Sequence, residues 1–240
     1  MKGIILAGGT GSRLYPITKV TNKCLLPVGK EPMIFRMLDI FKKSNIEDIM
    51  LITGPEHMGD VISLLGSGVE HGCSMTYRVQ DSANGIAAAL GMCSSFARGE
   101  KFVVILGDNI FGDNDELASS IRDFDLLRED YRLFAKSVSD PQRFGVPILD
   151  KDGKAIDIIE KPKNPPCNKA IVGLYCYTDE VFDVIKNLQP SPRGEYEISD
   201  VNSWLVRNRH GSLIDVTCEW IDAGTHDSYR RANDMVWSKP

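Results

Sequence analysis

The sequence lacks the cysteine and histidine spacings of a disulfide-rich or metal-stapled protein. Its six cysteines are scattered without a Cys-x-x-Cys pair, and its four histidines, His57, His71, His210 and His226, stand far apart. Zinc sites and disulfide frameworks both need such residues at short, regular spacings. We therefore expect free thiols in a reducing compartment, which predicts a cytoplasmic protein.

The chain also lacks an excess of positive charge and any long apolar run. Its formal net charge is -5 at pH 7, whereas nucleic-acid-binding surfaces carry a basic stripe. No stretch approaches the roughly 18 consecutive apolar residues that span a bilayer. The N-terminus has neither the length nor the cleavage site of a signal peptide. We expect no nucleic-acid partner and no membrane association, so local charges must meet any anionic ligand.

The order of the sequence patterns predicts the fold class. The composition, 240 residues with 42% hydrophobic and 25% charged, suits a single domain over 1–240 with one sizeable core. Strand-like and helix-like segments alternate up to about residue 130, which predicts an α/β fold with a Rossmann-like, mostly parallel sheet and helices on both faces. From about 131 to 240, short β-rich segments predict further strands and a small antiparallel region. The predicted strands are 3–7, 49–53, 74–79, 102–106, 132–138, 146–149, 155–160 and 170–177, the predicted helices are 58–65 and 85–96, and 161–169 is a predicted loop.

The first predicted strand runs into a glycine-rich segment with two cations. Glycines at 8, 9 and 11 allow backbone N–H groups to approach anionic oxygens, and Arg13 and Lys23 supply positive charge. A Walker loop would need Lys and then Ser or Thr after the last glycine, and a dinucleotide fingerprint would need a third glycine that opens a helix. Neither is present, and Pro16, Pro27 and Pro32 forbid a long helix. The segment is expected to be an extended loop that wraps a phosphate-bearing ligand.

Two aspartates stand after apolar segments. Asp108 follows the strand-like segment 102–106 beside a glycine turn, at the sheet edge where the glycine-rich loop also begins, and an acid in that place commonly holds Mg²⁺ near phosphates. Asp222 lies in the segment WIDAGTH, before a predicted terminal helix. Spacing alone leaves Asp222 open between a helix cap and a second site carboxylate.

These motifs, taken together, resemble one enzyme family. The segments are GGTGSRLYPIT at 8–18, KCLLPV at 23–28, QDSANGIAAALG at 80–91, ILGDNIF at 105–111, RFGV at 143–146, EKP at 160–162, RGEYEISDVN at 193–202 and WIDAGTHDS at 220–228. In this order they resemble the sugar-1-phosphate nucleotidylyltransferases, most closely the glucose-1-phosphate thymidylyltransferases. The resemblance covers nearly the whole chain. It implies a nucleotide-binding part at about 1–130 and a sugar-phosphate-binding part at about 131–240.

The resemblance also implies roles for individual residues. Arg13 and Lys23 would be catalytic, and Asp108 and Asp222 would share Mg²⁺ as the cofactor. Lys161 and Arg193 would hold the phosphate of the sugar, and Glu160 would accept from its hydroxyls. The implied nucleotide-binding set is Gly8, Gly9, Thr10, Gly11, Arg13, Lys23, Gln80, Gly85 and Asp108, and the implied sugar-phosphate set, in the small antiparallel sugar-binding region, is Gly145, Glu160, Lys161, Val172, Tyr175 and Arg193.

The implied reaction joins dTTP and glucose 1-phosphate into dTDP-glucose and pyrophosphate. A sugar phosphate is already ionised, so it can attack the α-phosphate in line without a general base, and the catalytic demand is charge stabilisation. Cys24 and Ala88 depart from the side chains usual in relatives near the base, which leaves open a preference for UTP or several bases. A non-catalytic, nucleotide-sugar-sensing relative is the alternative of another class, although such a relative could lose the four charged residues.

Regulation and assembly follow from the resemblance only as expectations. Longer thymidylyltransferases extend beyond the segment that matches WIDAGTHDS and form a second, regulatory nucleotide site there. We expect this shorter chain to lack that site, so that dTDP-sugars compete with the nucleotide at the active site alone. A homo-oligomer is expected because relatives commonly form dimers or tetramers.

Overall fold

A computed structural model describes residues 1–238 as alternating strands and helices. Short 3₁₀ turns occupy much of the loop between the first two strands, including Ser12–Leu14 and Lys23–Leu25. In the first half the elements are β1 (Lys2–Ala7), β2 (Pro27–Val28), β3 (Glu31–Pro32), α1 (Met33–Lys43), β4 (Asp48–Thr53), α2 (Met58–Leu65), β5 (Ser74–Val79), α3 (Ile86–Gly91), β6 (Phe102–Leu106), β7 (Asn109–Phe111) and α4 (Asp115–Leu126). The second half contains β8 (Tyr131–Ser137), β9 (Gly145–Leu149), β10 (Ala155–Glu160), β11 (Lys169–Tyr177), α5 (Val181–Lys186), α6 (Ile198–Asn208), β12 (Gly211–Asp215), β13 (Trp220–Asp222) and α7 (His226–Trp237).

Seven strands form one central sheet in the order β12-β8-β11-β6-β1-β4-β5. All neighbours are parallel except at β11, which is antiparallel to both β6 and β8. In the register, Leu6 of β1 lies beside Leu106 of β6, and Ala7 lies beside Thr53 of β4. The carboxyl ends of β1, β4 and β6 therefore meet at one edge. This arrangement confirms the mostly parallel α/β sheet, and strands from both halves of the chain belong to it.

The core lies on both faces of the sheet. Ile5 and Ile105 pack on one face beneath α1, α4 and α7, whereas Ile4 and Val104 pack on the other beneath α3, α5 and α6. Because helices cover both faces, the central strands are apolar at consecutive positions rather than at alternate ones. The continuous apolar segments of β1 and β6 are explained by this position.

Three small antiparallel pairs extend the sheet region: β9 with β10, β7 with β13 and β2 with β3. The pair β9–β10 packs on α6. Residues 161–168 join β10 to β11, so the predicted loop 161–169 is confirmed except for Lys169, which begins β11. The pair β7–β13 places Asp222 opposite Asn109. These pairs carry residues of several motifs to the carboxyl edge of β1 and β6.

One helix is shorter than the sequence predicts. The helix predicted over 85–96 ends at Gly91, after which the backbone bonds shift to the tighter spacing of Met92 N–H to Ala89 C=O and Phe96 N–H to Cys93 C=O. Glycine and the two serines that follow have weak helix propensity, which explains the early end. No helix within residues 1–238 is long and apolar enough to cross a bilayer, and all six cysteines are free thiols.

Candidate active site

A cavity of about 510 Å³ opens at the carboxyl edge of the sheet. Its walls come from the glycine-rich loop, the corner after β6, the pair β9–β10, the inner part of β11, the start of α6 and β13. Residues far apart in sequence therefore converge here. The predicted site residues that line the cavity are Arg13, Asp108, Gly145, Glu160, Lys161, Tyr175, Arg193 and Asp222.

The loop that carries Lys23 is clamped to two strand ends by Asn22, which is 4% exposed. Its Nδ2 donates to Ala7 C=O at 2.9 Å and to Thr53 Oγ1 at 2.8 Å, and its Oδ1 accepts from Cys24 N–H at 2.9 Å. The last bond caps the 3₁₀ turn that begins at Lys23. Asn22 thus holds the backbone of Lys23 at the ends of β1 and β4, a role that the sequence patterns did not reveal.

Lys23 and Asp108 form a buried ion pair, with direct contact between Nζ and Oδ2. Burial opposes the charge on Lys23, but the adjacent Asp108 carboxylate outweighs it and raises the Lys23 pKa. Burial likewise opposes the charge on Asp108, and Lys23 outweighs it and lowers the Asp108 pKa. Each group therefore keeps the other ionised. Asn109 Nδ2 also donates to the second carboxylate oxygen of Asp108, at 3.1 Å.

Asp222 meets Asp108 and Arg13 at Gly224. A Cβ added to Gly224 would lie 2.9 Å from Asp222 Oδ1, 3.0 Å from Arg13 Nη2 and 3.3 Å from Asp108 Oδ2. Burial and the nearby Asp108 charge raise the Asp222 pKa to about 6. Within residues 1–238, no cation lies within 4 Å of the Asp222 carboxylate. Asp222 is thus a buried carboxylate that lies beside a second carboxylate and forms no ion pair of its own within these residues.

The helix-cap interpretation of Asp222 is wrong. The N-cap of α7 is Thr225, whose Oγ1 accepts from Ser228 N–H while Ser228 Oγ accepts from Thr225 N–H. His226 is the first residue of this helix, and its Nε2 contacts Tyr15 C=O at 2.9 Å. Asp222 instead ends β13, opposite Asn109, where its carboxylate is available to the cavity.

The donor set fits a magnesium ion only if a phosphate completes it. In the part of the chain that the structure describes, no three or more His, Cys, Asp or Glu side chains are grouped as a metal centre. Mg²⁺ characteristically takes one or two carboxylates, substrate phosphates and water. The pair Asp108 and Asp222 supplies the protein's part of such a set.

Gln80, one of the two predicted base-binding residues, lies beside the glycine-rich loop. Gln80 is 7% exposed, so it is not a surface strand end. Its Oε1 lies so near Gly8 that a Cβ there would be 2.2 Å away, and its Nε2 contacts Asn84 Oδ1 at 3.3 Å. Of the two departures from relatives, Ala88 is partly exposed, but Cys24 is fully buried. Cys24 therefore has no surface with which to contact a base.

Gly85 has a structural requirement of its own. Its φ is 110°, and a Cβ would lie 2.4 Å from Tyr196 C=O. On either side of it, Tyr196 N–H donates to Asn84 C=O at 2.9 Å, and Ala87 N–H donates to Tyr196 C=O at 3.2 Å. This backbone contact, which we call the 84–196 ladder, joins the predicted base segment to the segment that carries Arg193.

Three of the predicted sugar-phosphate residues, Glu160, Lys161 and Arg193, form an ion-pair network with Glu197. Arg193 makes two contacts of 2.8 Å with the Glu197 carboxylate and one of 3.2 Å with Glu160 Oε1. Lys161 Nζ lies 2.7 Å from Glu160 Oε1, and Ser199 Oγ donates to Glu160 Oε2 at 2.6 Å. Burial opposes the Arg193 charge, but the bonds to Glu197 outweigh it and raise the Arg193 pKa. Both predicted phosphate-binding cations already have carboxylate partners.

β11 forms one wall of the cavity, and its alternation separates two predicted residues. Tyr175 lines the cavity, is 3% exposed and stacks on Tyr177 with ring centroids 5.9 Å apart. Burial raises the Tyr175 pKa. Val172, in contrast, is fully buried and packs in the core on the other face of the sheet. The structure therefore does not bring the Val172 side chain to the cavity, because its neighbours Ile171 and Gly173 face it instead.

Several lining residues were not singled out from the sequence. Asn109 Oδ1 accepts from Gly173 N–H at 2.8 Å and from Trp220 Nε1–H at 2.7 Å, which fixes the orientation of its amide toward Asp108. Arg143 also lines the cavity and pairs with Asp140 at 2.8 Å. The sequence could have pointed to these residues, since Asn109, Arg143 and Trp220 all lie in segments that resemble the family.

Comparison with known proteins agrees with this geometry. The family model described as "Nucleotidyl transferase" matches residues 2–239. The chain is 41% identical over 237 residues to a glucose-1-phosphate thymidylyltransferase of Xanthomonas campestris pv. campestris, covering 98% of this chain and 80% of that protein. It is 38% identical over 239 residues to the enzyme of the same name from Mycobacterium tuberculosis, covering 98% and 82%.

Solved structures give the same picture. A Bacillus anthracis protein assigned as a glucose-1-phosphate thymidylyltransferase, crystallised with sucrose, superposes with a TM-score of 0.93 at 52% identity, covering 100% of this chain and 96% of that one. A UDP-glucose pyrophosphorylase in complex with UDP-glucose superposes with a TM-score of 0.86 at 21% identity, covering 100% and 99%. The latter likeness concerns the fold alone.

Proposed function

Because the chain belongs to the nucleotidyl transferase family, we propose that it transfers the thymidylyl group of dTTP to glucose 1-phosphate, forming dTDP-glucose and pyrophosphate. The observation that carries this proposal is the convergence of Arg13, Lys23, Asp108 and Asp222 at one edge of the sheet. The thymidylyltransferase relatives, matched over nearly the whole chain, support the choice of substrates.

The reaction needs no proton transfer from the protein. An oxygen of the ionised sugar phosphate attacks the α-phosphorus, a new P–O bond forms, and the bond to the bridging oxygen of the β-phosphate breaks with its electron pair leaving on pyrophosphate. The residues must bring two anions together and stabilise the charge that moves to the leaving group. Arg13 is proposed to bind the leaving phosphates and Lys23 the α-phosphate and the attacking oxygen.

Asp108 and Asp222 are proposed to hold Mg²⁺. When bound, the ion neutralises phosphate charge and acts as a Lewis acid toward the α-phosphate. Asp108 is kept ionised by Lys23, and Asp222 has a pKa of about 6, so both carboxylates are mainly anionic above neutral pH. Asn109, held by Gly173 and Trp220, fixes the orientation of the Asp108 carboxylate.

The remaining predicted residues complete the two binding regions. We propose that backbone N–H groups of Gly8, Gly9, Thr10 and Gly11 contact the triphosphate, and that the Gln80 amide pairs with the thymine edge, since an amide both donates and accepts. Lys161 and Arg193 would bind the sugar phosphate by exchanging their carboxylate partners. Gly145 lines the cavity, and we propose that its backbone contacts the hexose. A Cβ at this position would lie 2.6 Å from Ser199 Oγ, so a larger residue would displace Ser199.

The free thiols of all six cysteines agree with the proposed cytoplasmic location. We also propose a homo-oligomer, and light scattering would measure its molar mass. The decisive assay compares pyrophosphate release from dTTP, UTP, ATP and GTP with glucose 1-phosphate and Mg²⁺. We expect dTTP to give the highest kcat/KM. A higher value with UTP would overturn the choice of base, and the absence of pyrophosphate with every nucleotide would favour a sensing protein.

A further inference from the structure

Asn202 lies on α6 at the wall of the cavity and has one polar atom without a partner. The residue is 1% exposed and lines the cavity together with Ile198 and Ser199, which precede it by about one helical turn. Its Oδ1 accepts from the Tyr177 hydroxyl at 2.5 Å. Its Nδ2 has less than 1 Å² of accessible surface and no hydrogen-bond partner within the described chain.

A buried amide N–H₂ without a partner is unusual in a folded protein, and at the wall of a cavity it can serve as a hydrogen-bond donor to a ligand. Two other buried side-chain atoms share this condition among the residues described, Arg36 Nε and Thr178 Oγ1. Neither of those residues lines the cavity, whereas Asn202 does. Because Tyr177 occupies Oδ1, the amide is held with Nδ2 as its remaining free group.

The register of β11 shows which end of the cavity Asn202 occupies. Tyr177, its hydrogen-bond partner, lies beside Phe102 at the start of β6, and Tyr175 lies beside Val104. Asp108 follows the opposite end of β6. Asn202 is therefore anchored on the side away from Asp108 and Asp222. The reacting phosphorus is expected beside those two carboxylates. A ligand group that reaches Asn202 belongs to the part of the substrate far from the reacting phosphorus.

We propose that Nδ2 of Asn202 donates a hydrogen bond to a hydroxyl of the hexose at carbon 3, 4 or 6, the part of the ring away from the anomeric phosphate. This inference rests on the proposed function. Glu160 is joined to the same helix by Ser199, so an acceptor and a donor flank the sugar. Asn202 is thus a specificity-determining residue for the sugar phosphate.

A site built to hydrogen-bond a hydroxyl rejects the analogue that lacks it, because its buried polar group is then left unpaired. The test compares kcat/KM for glucose 1-phosphate and its 3-deoxy, 4-deoxy and 6-deoxy analogues in the wild type and in Asn202→Leu, which is similar in size but has no donor. We expect the wild type to lose at least about tenfold with one analogue. We expect Asn202→Leu to lose about as much with glucose 1-phosphate and not to discriminate against that analogue.

Thr178→Val is the matched control, since it removes another unpartnered buried group away from the cavity, and its discrimination among the analogues should equal that of the wild type. If Asn202→Leu fails to fold, as judged by its thermal melt, the smaller Asn202→Ala replaces it. Equal losses with all four sugar phosphates in the variant would show a structural role and overturn the inference. If the wild type is inactive with glucose 1-phosphate and with all three analogues, the proposed function is overturned, and this inference with it.

Discussion

The two ends of the cavity handle charge differently. At the carboxylate end, defined by Arg13, Lys23, Asp108 and Asp222, Lys23 pairs with Asp108, and Asp222 forms no ion pair with any described residue. At the sugar-phosphate end, defined by Glu160, Lys161, Arg193 and Glu197, every charge has an opposite partner. Each end holds two cations and two carboxylates, but only at the second end does every charged group form an ion pair.

This difference shows how each end is prepared for its ligand. Asp222 lies beside the Asp108 carboxylate and forms no ion pair within residues 1–238. Under the proposed function, the carboxylate end therefore gains stability when a metal ion arrives with the triphosphate. At the sugar-phosphate end, a phosphate that binds as proposed must replace Glu197 or Glu160 as a partner of Arg193. The affinity for the sugar phosphate then depends on the difference in free energy between the new ion pair and the pair that it replaces.

The largest expected effect is at the carboxylate end. Asp222→Asn keeps the shape of the side chain but removes its charge, so we expect turnover at saturating Mg²⁺ to fall at least about a hundredfold. Asp108→Asn should act similarly, although it also leaves Lys23 without its partner. Asp227→Asn, an exposed acid on α7, is the control and should keep wild-type turnover. Near-wild-type rates for Asp222→Asn would show that its carboxylate is structural.

The next prediction separates the two ends by steady-state kinetics. Arg193→Ala or Lys161→Ala should raise the KM for glucose 1-phosphate by roughly 10- to 100-fold, because a cation that meets the sugar phosphate is lost. Arg13→Ala should mainly lower the rate of pyrophosphate formation. Arg207→Ala, which breaks the ion pair with Asp157 outside the cavity, serves as the control. If all three site variants changed the KM and the rate in the same way, the proposed difference between the two ends of the cavity would be contradicted.

A smaller effect is expected from the clamp that holds Lys23. Asn22→Ala removes three hydrogen bonds around the lysine, and we expect kcat to fall about tenfold with little change in the KM for glucose 1-phosphate. In a Lys23→Met background, the same substitution should cost almost nothing further, because Asn22 acts through Lys23. An equal loss in both backgrounds, together with a lowered melting temperature, would show that Asn22 only stabilises the fold.

The smallest effect concerns the stability of the metal-free protein. The folded Asp222 pKa of about 6 lies above its ordinary value near 3.8, so the folded state binds the proton more tightly. The contribution of Asp222 to stability is therefore fully present below pH 3.8 and is lost as the pH rises through about 6. Asp222→Asn should match the wild type near pH 4 and exceed it by roughly 1–3 kcal/mol at pH 7.5.

Urea unfolding at both pH values, with a chelator present, measures this difference. A wild type that is as stable as the variant at pH 7.5 would mean that the Asp222 carboxylate is better solvated than the structure indicates. The carboxylate end would then be as well neutralised as the sugar-phosphate end, and the comparison between them would fail.

Much of the fold could be predicted because local patterns and sheet rules agree. The segments 58–65, 74–79, 102–106 and 155–160 match the bounds of α2, β5, β6 and β10. Helices on both faces of the sheet explain why continuous apolar segments predicted central strands. The place of Asp108 beside the glycine-rich loop also followed, since the carboxyl ends of parallel strands share one edge.

The ion-pair and hydrogen-bond partners of the site residues could not be predicted in the same way. Lys23 pairs with Asp108 rather than standing free, and Arg193 binds Glu197, because contacts between distant residues depend on the packed geometry. Thr225 could cap α7 as well as Asp222 could, and only the strand pairing of β7 with β13 decides between them. Side-chain alternation on β11 likewise decides that Val172 faces the core and Tyr175 the cavity.

The 84–196 ladder has a consequence for how such enzymes diversify. Through main-chain bonds, it joins the segment expected to select the base to the segment expected to hold the sugar phosphate. These bonds are insensitive to side-chain identity except at Gly85. Residues on either segment can therefore be exchanged while their common frame persists. Libraries that shuffle base-selecting and sugar-selecting segments from different relatives should yield folded chimeras provided that glycine is retained at this junction.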